Sequence, residues 1–244
     1  MKKIIYVVFA ISLLFSSCTN DAENTSVTLK FTHYWDDTKM TNQDLNQLRF
    51  TNANGEKLSI ERLRYAISNI SLIGGKNYHL VDFGENFGTA LTISDLTDGT
   101  YNISFRFGFS DEDNTDGIYK NLNSLNFDVP GMLGGGYHYM QFDGKFLDDS
   151  NQEIGFNYHT IRAVDRTDPN NLVFQDTSFK VDLGTVVIIN NAEIEVRMNV
   201  AEWFKNPNTW NLNELNTVLM PNFEVQKMMS ANGKSVFSLG EVNQ

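Results

Sequence analysis

The chain has 244 residues, of which 30 are acidic and 19 basic, giving a formal charge of −11, and it contains one cysteine. That charge makes nucleic acid and anionic membrane surfaces poor partners, since both are bound through clustered Lys and Arg. A lone cysteine rules out an internal disulfide, so the fold is not stapled.

At the N-terminus Lys2 and Lys3 precede an apolar run from Ile4 to Phe15 that ends in Ser16-Ser17-Cys18. A basic start, a short apolar segment and small residues at the cut make residues 1–17 a signal peptide. The run is well below the roughly 20 residues that a membrane-spanning helix needs. Phe15-Ser16-Ser17-Cys18 resembles a bacterial lipobox, with Phe15 where Leu is commonest, so Cys18 is the expected lipidation site. The alternative is an ordinary secretory signal with Cys18 near the cut. Residues 18–26 then form a lipidated tether, small and polar from Thr19 to Ser26, and several acyl chains on one cysteine hold a protein firmly to a bilayer. The expected location is the cell envelope, as a membrane-anchored lipoprotein on the periplasmic side of a membrane or on the cell surface. Loss of Lys2 and Lys3 from the 19 basic residues leaves 17 against 30, a formal charge of −13.

Residues 27–244 are expected to be a single domain, a length that one large all-β unit can fill. Val27, Leu29, Phe31, His33 and Trp35 alternate with polar residues, the period-two pattern of a strand with one buried face. The pattern returns in Tyr101, Ile103, Phe105, Phe107 and Phe109, and again in Ala192, Ile194, Val196, Met198 and Val200. Further strands are expected at Leu63 to Ile73, Tyr78 to Phe83, Gly136 to Phe142, Glu153 to Ile161 and Ser178 to Asn190. Turn signals stand at Asn54-Gly55, Gly74-Gly75, Asp98-Gly99 and Asp116-Gly117. After Val200 the pattern changes: Ala201 to Phe204 predicts one helical turn stopped by Pro207, and Asn211 to Met220 and Asn222 to Ala231 predict short helices, the second closed by Asn232-Gly233 as a left-handed cap. The fold class is therefore all-β, an immunoglobulin-like Greek-key β-sandwich with short C-terminal helices packed at one end.

The sequence carries no nucleophile elbow, phosphate loop or dinucleotide fingerprint, and an enzyme is not expected; paired carboxylates, which meet only in space, leave no local signature. Asp111 to Gly117 has closely spaced oxygen ligands and a Gly, as a calcium loop needs, but Leu122 stands where the loop-closing acid belongs. A solvated turn is the other reading. The histidines are His33, His79, His138 and His159, with no helical metal motif among them. His33 lies on the apolar side of its strand with Trp35 two residues on, where a neutral imidazole offers nitrogen to a soft or borderline metal and the indole excludes water. A core-edge histidine bonded to a carbonyl is the alternative. His159 is opposite in parity to Phe156 and Tyr158, so periodicity turns it away from the larger apolar set. His138 and Met140 share a face by parity, and His with thioether suits copper(I).

Several blocks in order carry a family resemblance: Leu29-Lys30-Phe31-Thr32-His33, Leu63-Arg64-Tyr65-Ala66-Ile67-Ser68-Asn69-Ile70, and Tyr101 to Gly108. Gly136 to Gly144, Phe156 to His159, Val200-Ala201-Glu202-Trp203-Phe204 and Ala231 to Phe237 continue it. Together they resemble the MbnP family of methanobactin-associated, MopE-like copper-binding envelope proteins, over nearly all of the mature chain. The resemblance implies a β-sandwich, copper bound by histidines, a nearby tryptophan oxidised to kynurenine and a di-haem peroxidase-like partner. Carried over, the ligand histidines are His33 and His159. The chain departs from the family pattern in Pro130 to Gly135, where members commonly carry tryptophans, and at Thr160-Ile161, where a Gly often follows the second histidine. The expected function is a non-catalytic envelope lipoprotein that binds or handles copper through His33 and His159. The alternative is a metal-free β-sandwich that binds protein or glycan through exposed Tyr, Trp and Asn.

Overall fold

A computed structural model of the chain describes residues 25–168 and 170–244. The expected signal peptide, Cys18 and all of the tether except Thr25 and Ser26 lie outside the described residues. In chain order the strands are β1 (Thr25–Trp35), β2 (Thr38–Lys39), β3 (Phe50–Thr51), β4 (Lys57–Ser68), β5 (Tyr78–Asp82), β6 (Ala90–Leu96) and β7 (Gly99–Phe107). After a short helix α1 (Lys120–Ser124) come β8 (Met140–Leu147), β9 (Glu153–Thr160), β10 (Ala163–Asp165), β11 (Val173–Gln175), β12 (Phe179–Ile188) and β13 (Ala192–Asn199). A 3-10 turn at Val200–Phe204, helix α2 (Phe223–Gly233) and β14 (Phe237–Asn243) complete the chain.

One sheet runs β14, β13, β1, β2, with β6 also paired to β1; the other runs β12, β7, β4, β8, β9, with β3 and β5 also paired to β4. The alternation read from the sequence is the burial pattern of the strands: Val27, Leu29, Phe31, His33 and Trp35 of β1 are all buried, as are Ala192, Ile194, Val196 and Met198 of β13. Their apolar faces meet those of the second sheet, with the Phe105 ring 6.5 Å from Phe31 and 5.2 Å from Phe237. The result is the expected all-β sandwich with short helices, of the kind in which two inner faces interdigitate to make one core.

Several details differ from the sequence reading. β1 starts at Thr25, inside the expected tether, because Thr25 and Val27 already pair with β6. β1 and β13 pair in parallel, Val27 with Ala192 through Tyr34 with Asn199, a long-range pairing that no local turn signal announces. Asn211 to Met220 forms turns rather than a helix. There the Asn211 side chain accepts the Asn213 N–H at 3.0 Å and Glu56 accepts it at 3.1 Å, so local side-chain bonds displace the helical ladder.

Helix α2 forms where expected, its first turn capped by Asn222 Oδ1, which accepts Val225 N–H at 3.2 Å. Its end is not the expected left-handed cap, since Lys234 closes it in right-handed geometry. Asn232 is instead fully buried and donates to the Trp203 and Asn208 carbonyls at 2.8 and 2.9 Å. Gly233 is required for space, because a Cβ there would lie 2.5 Å from the Phe179 ring and 2.8 Å from the Trp203 ring.

Candidate metal centre

Alternation along β1 carries His33 into the space between the sheets, where it is 2% exposed. Its Nε2 lies 3.2 Å from Tyr65 Oη on β4, and its ring is 4.6 Å from Phe83. Burial pushes the His33 imidazole down to about 3, so the ring is neutral and has a lone pair to offer. The same burial pushes the Tyr65 phenol up, so it stays protonated. A cavity of about 380 Å³ opens beside this pair, lined by His33, Met40, Phe31, Phe83, Asn86 and Thr89 among others. Met40 is brought there by the turn after β1, where its N–H donates to the His33 carbonyl at 2.8 Å.

Trp35 is buried on the same face but packs on Phe50 at 4.8 Å and Phe204 at 6.1 Å, and its Nε1–H donates to the Thr51 carbonyl at 3.2 Å. The rings that enclose His33 are Tyr65 and Phe83. His79 on β5 stacks on Phe31 at 5.6 Å, and its Nε2–H donates to the Gly88 carbonyl at 2.6 Å. Desolvation lowers its basicity too, partly offset by that carbonyl.

His159 lies elsewhere. Across the second sheet Arg64 pairs with Gln141 and Gln141 with His159, while the adjacent row is Tyr65, Met140 and Thr160. Successive strand residues point to opposite faces. Tyr65 faces His33, so His159 projects from the other face of the sheet. The expected single-ion site of His33 and His159 is therefore not formed: one histidine is inside the sandwich and the other outside the sheet that bounds it. The parity reading that turned His159 away from Phe156 and Tyr158 was the better guide than the family carry-over.

On that outer face His159 meets Asp143, which the sequence reading did not single out, and His138, which it had paired with Met140. Its Nε2–H donates to Asp143 Oδ1 at 2.7 Å, and its ring stands 5.3 Å from the His138 ring at 84°. Asp143 also accepts from Asn157 at 2.6 Å and pairs with Arg62 at 3.4 Å. Hydrogen bonding and the neighbouring charges hold its carboxyl below the usual range against the opposing effect of burial. His138 is 5% exposed, and its Nδ1–H donates to the Phe127 carbonyl at 3.1 Å. Desolvation, with a smaller contribution from His159, lowers it to about 4. The expected sharing of a face by His138 and Met140 fails, because β8 begins only at Met140 and parity does not extend to His138; Met140 belongs to the core.

The acidic loop does not make a calcium site. Asp113 pairs with Lys76 at 2.6 Å, Asn114 accepts the Tyr137 N–H at 2.7 Å, and Asp116 accepts the Gly136 N–H. Among the described residues, no three His, Cys, Asp or Glu side chains converge as a closed metal site requires.

Comparison with known proteins follows this geometry. The MbnP family model matches residues 24–221. Among solved structures, the chain is similar to MbnP from Methylosinus trichosporium, with 10% identity and a TM-score of 0.52 over 89% of this chain and 99% of that one. At that identity the likeness speaks for the fold. No curated protein matches the chain.

Proposed function

This chain belongs to the MbnP family, and from that premise we propose that it is a non-catalytic, copper-handling lipoprotein of the cell envelope whose copper(I) site lies at His33. The observation that carries the reading is the shared cavity of His33 and Met40. A neutral imidazole and a thioether are the borderline and soft donors that copper(I) accepts at low coordination number. Burial keeps the His33 ring neutral, and among the described residues the Tyr65 phenol is the group that competes for Nε2. Phe83 and Phe31 line the same space with apolar surface, which favours the less hydrated, singly charged ion. His159 has no part in this site.

Attachment to a membrane through Cys18 and a di-haem peroxidase-like partner belong to the same reading. The first rests on the N-terminal motif, the second on the family. The test is anaerobic copper(I) titration against a chromophoric chelator with wild type, His33→Gln and Met40→Leu. Each substitution is expected to weaken binding at least tenfold. Wild-type affinity in both variants would remove copper(I) from this cavity, and a wild type that takes no copper would favour the metal-free binding module instead.

A further inference from the structure

We propose that the cleft between β12 and α2 is a binding site for a small solute that carries two or more phosphoryl groups. It shares no residue with the His33 cavity and does not depend on copper.

In a chain of formal charge −11, Arg106, Lys180, Lys227 and Lys234 line one cavity of about 630 Å³. Arg106 on β7 and Lys180 on β12 are cross-strand partners, next to the pair Phe107 and Phe179. Those two rings are buried in the core, so Arg106 and Lys180 stand side by side on the outer face of the sheet. Lys227, Ser230, Ala231 and Lys234 follow one another at helical spacing along α2 and its C-terminal cap, which puts them on one stripe. The small Ser230 and Ala231 leave the space between the lysines and the strand pair open.

Like charges directly opposite on neighbouring strands destabilise a sheet, and the protein relieves this one only in part. Arg106 reaches Asp176 at 3.4 Å and donates to Ser178 Oγ at 2.6 Å. Among the described residues that line the cavity Asp176 is the single acid, so three positive charges of the lining go unmatched within it. Lys180 and Lys227 are tied outward to Asp182 at 3.4 Å and Glu224 at 2.9 Å. Such exposed pairs are worth little and release their lysines readily. Lys234 has no ion pair among the described residues. Its place at the end of α2 suits the helix dipole, but that dipole gives no reason for the Arg106–Lys180 pair.

A concave site lined by one sign of charge focuses the field and gathers counter-ions. A guanidinium matches two phosphate oxygens at once, and ammonium groups hold phosphate as point charges. One phosphoryl group brings at most about two negative charges at neutral pH, so matching three takes at least two such groups. Position separates a solute from a lipid headgroup. The chain leaves the fold at Thr25, whose hydroxyl donates to Asp98 at 2.6 Å beside the start of β7, whereas Arg106 is near the other end of that strand. At about 3.3 Å per residue the cavity is roughly 23 Å from the point where the tether begins. On the Cys18 attachment proposed above, it opens away from the bilayer that holds the protein.

Calorimetric titration of the mature Cys18→Ser protein with sodium tripolyphosphate tests this, with citrate as a carboxylate comparator. Tripolyphosphate is expected to bind, and Arg106→Gln, Lys227→Gln and Lys234→Gln are each expected to weaken it by about tenfold. Lys120→Gln, outside the cavity, is expected to leave it unchanged. Lys227 and Lys234 are surface residues of α2, so their variants keep the test valid should Arg106→Gln not fold. No binding by wild type, or wild-type affinity in both lysine variants, overturns the site. Citrate binding as tightly as tripolyphosphate overturns the assignment to phosphoryl groups, and displacement of tripolyphosphate by phosphatidylglycerol vesicles overturns the assignment to a solute.

Discussion

Nε2 of His33 and Oη of Tyr65 lie 3.2 Å apart across the interior, the first on β1 and the second on β4. This contact joins the two sheets across their shared core beside the cavity. The phenol keeps its proton because burial pushes it up, so it donates to the neutral imidazole whenever Nε2 carries the lone pair.

Tyr65→Phe therefore strands a buried nitrogen, and a loss of about 1–3 kcal/mol is expected, read by urea denaturation. The same change frees Nε2, so copper(I) affinity is expected to rise. A fall in affinity would mean that the phenol is itself part of the site.

Acid is expected to destabilise the fold through His33. Its folded value, about 3, lies below the ordinary 6.5, so between those values the unfolded chain binds the extra proton. The stability is complete above about pH 6.5 and is lost progressively as pH falls toward 3. One unit corresponds to about 1.4 kcal/mol, so the loss by pH 4.5 is on the order of 2–3 kcal/mol. Denaturation at pH 7.5 and 4.5, compared between wild type and His33→Leu, isolates this contribution. Equal pH dependence in the two proteins would show that His33 protonates freely.

Phe105 is 1% exposed and packs on Phe31 and Phe237 from the opposite sheet. Phe105→Ala is expected to cost about 3–5 kcal/mol, the usual price of an aromatic cavity that the surroundings fill only in part. A loss under about 1 kcal/mol would place the ring in a site that collapses around the gap.

Cys18→Ser is expected to release the protein from membranes, since no other cysteine exists to take the lipid. Intact mass of membrane-extracted wild type is the direct check. A mass without acyl groups would replace the lipoprotein by a secreted form of the same domain.

Periodicity determined a good deal by itself. The strands around Phe31, Phe105 and Ile194 were legible because a sheet with one buried face must alternate, and α2 because Asn222 offers a cap ahead of a helical run. The ordered blocks from Leu29 to Phe204 carried the family, which the family model matching residues 24–221 bears out; the block from Ala231 to Phe237 lies beyond that match. Strands β6 and β14 were not legible. Their exposed residues break the alternation, and their place is set by pairing with β1 and β13, far away in the chain.

The site divided in the same way. That His33 is inward and His159 outward followed from parity along each strand, a local property. Which residues surround them did not, because side chains meet across register: Tyr65 reaches His33 from another sheet, and Asp143 and His138 reach His159 from β8 and the loop before it. The tautomer of His138 is the clearest case, since it depends on the Phe127 carbonyl claiming the ring's proton and on the burial that keeps water from the other nitrogen. Neither condition has a local signature, because both arise only when the loop from Asn126 to His138 folds onto the sheet.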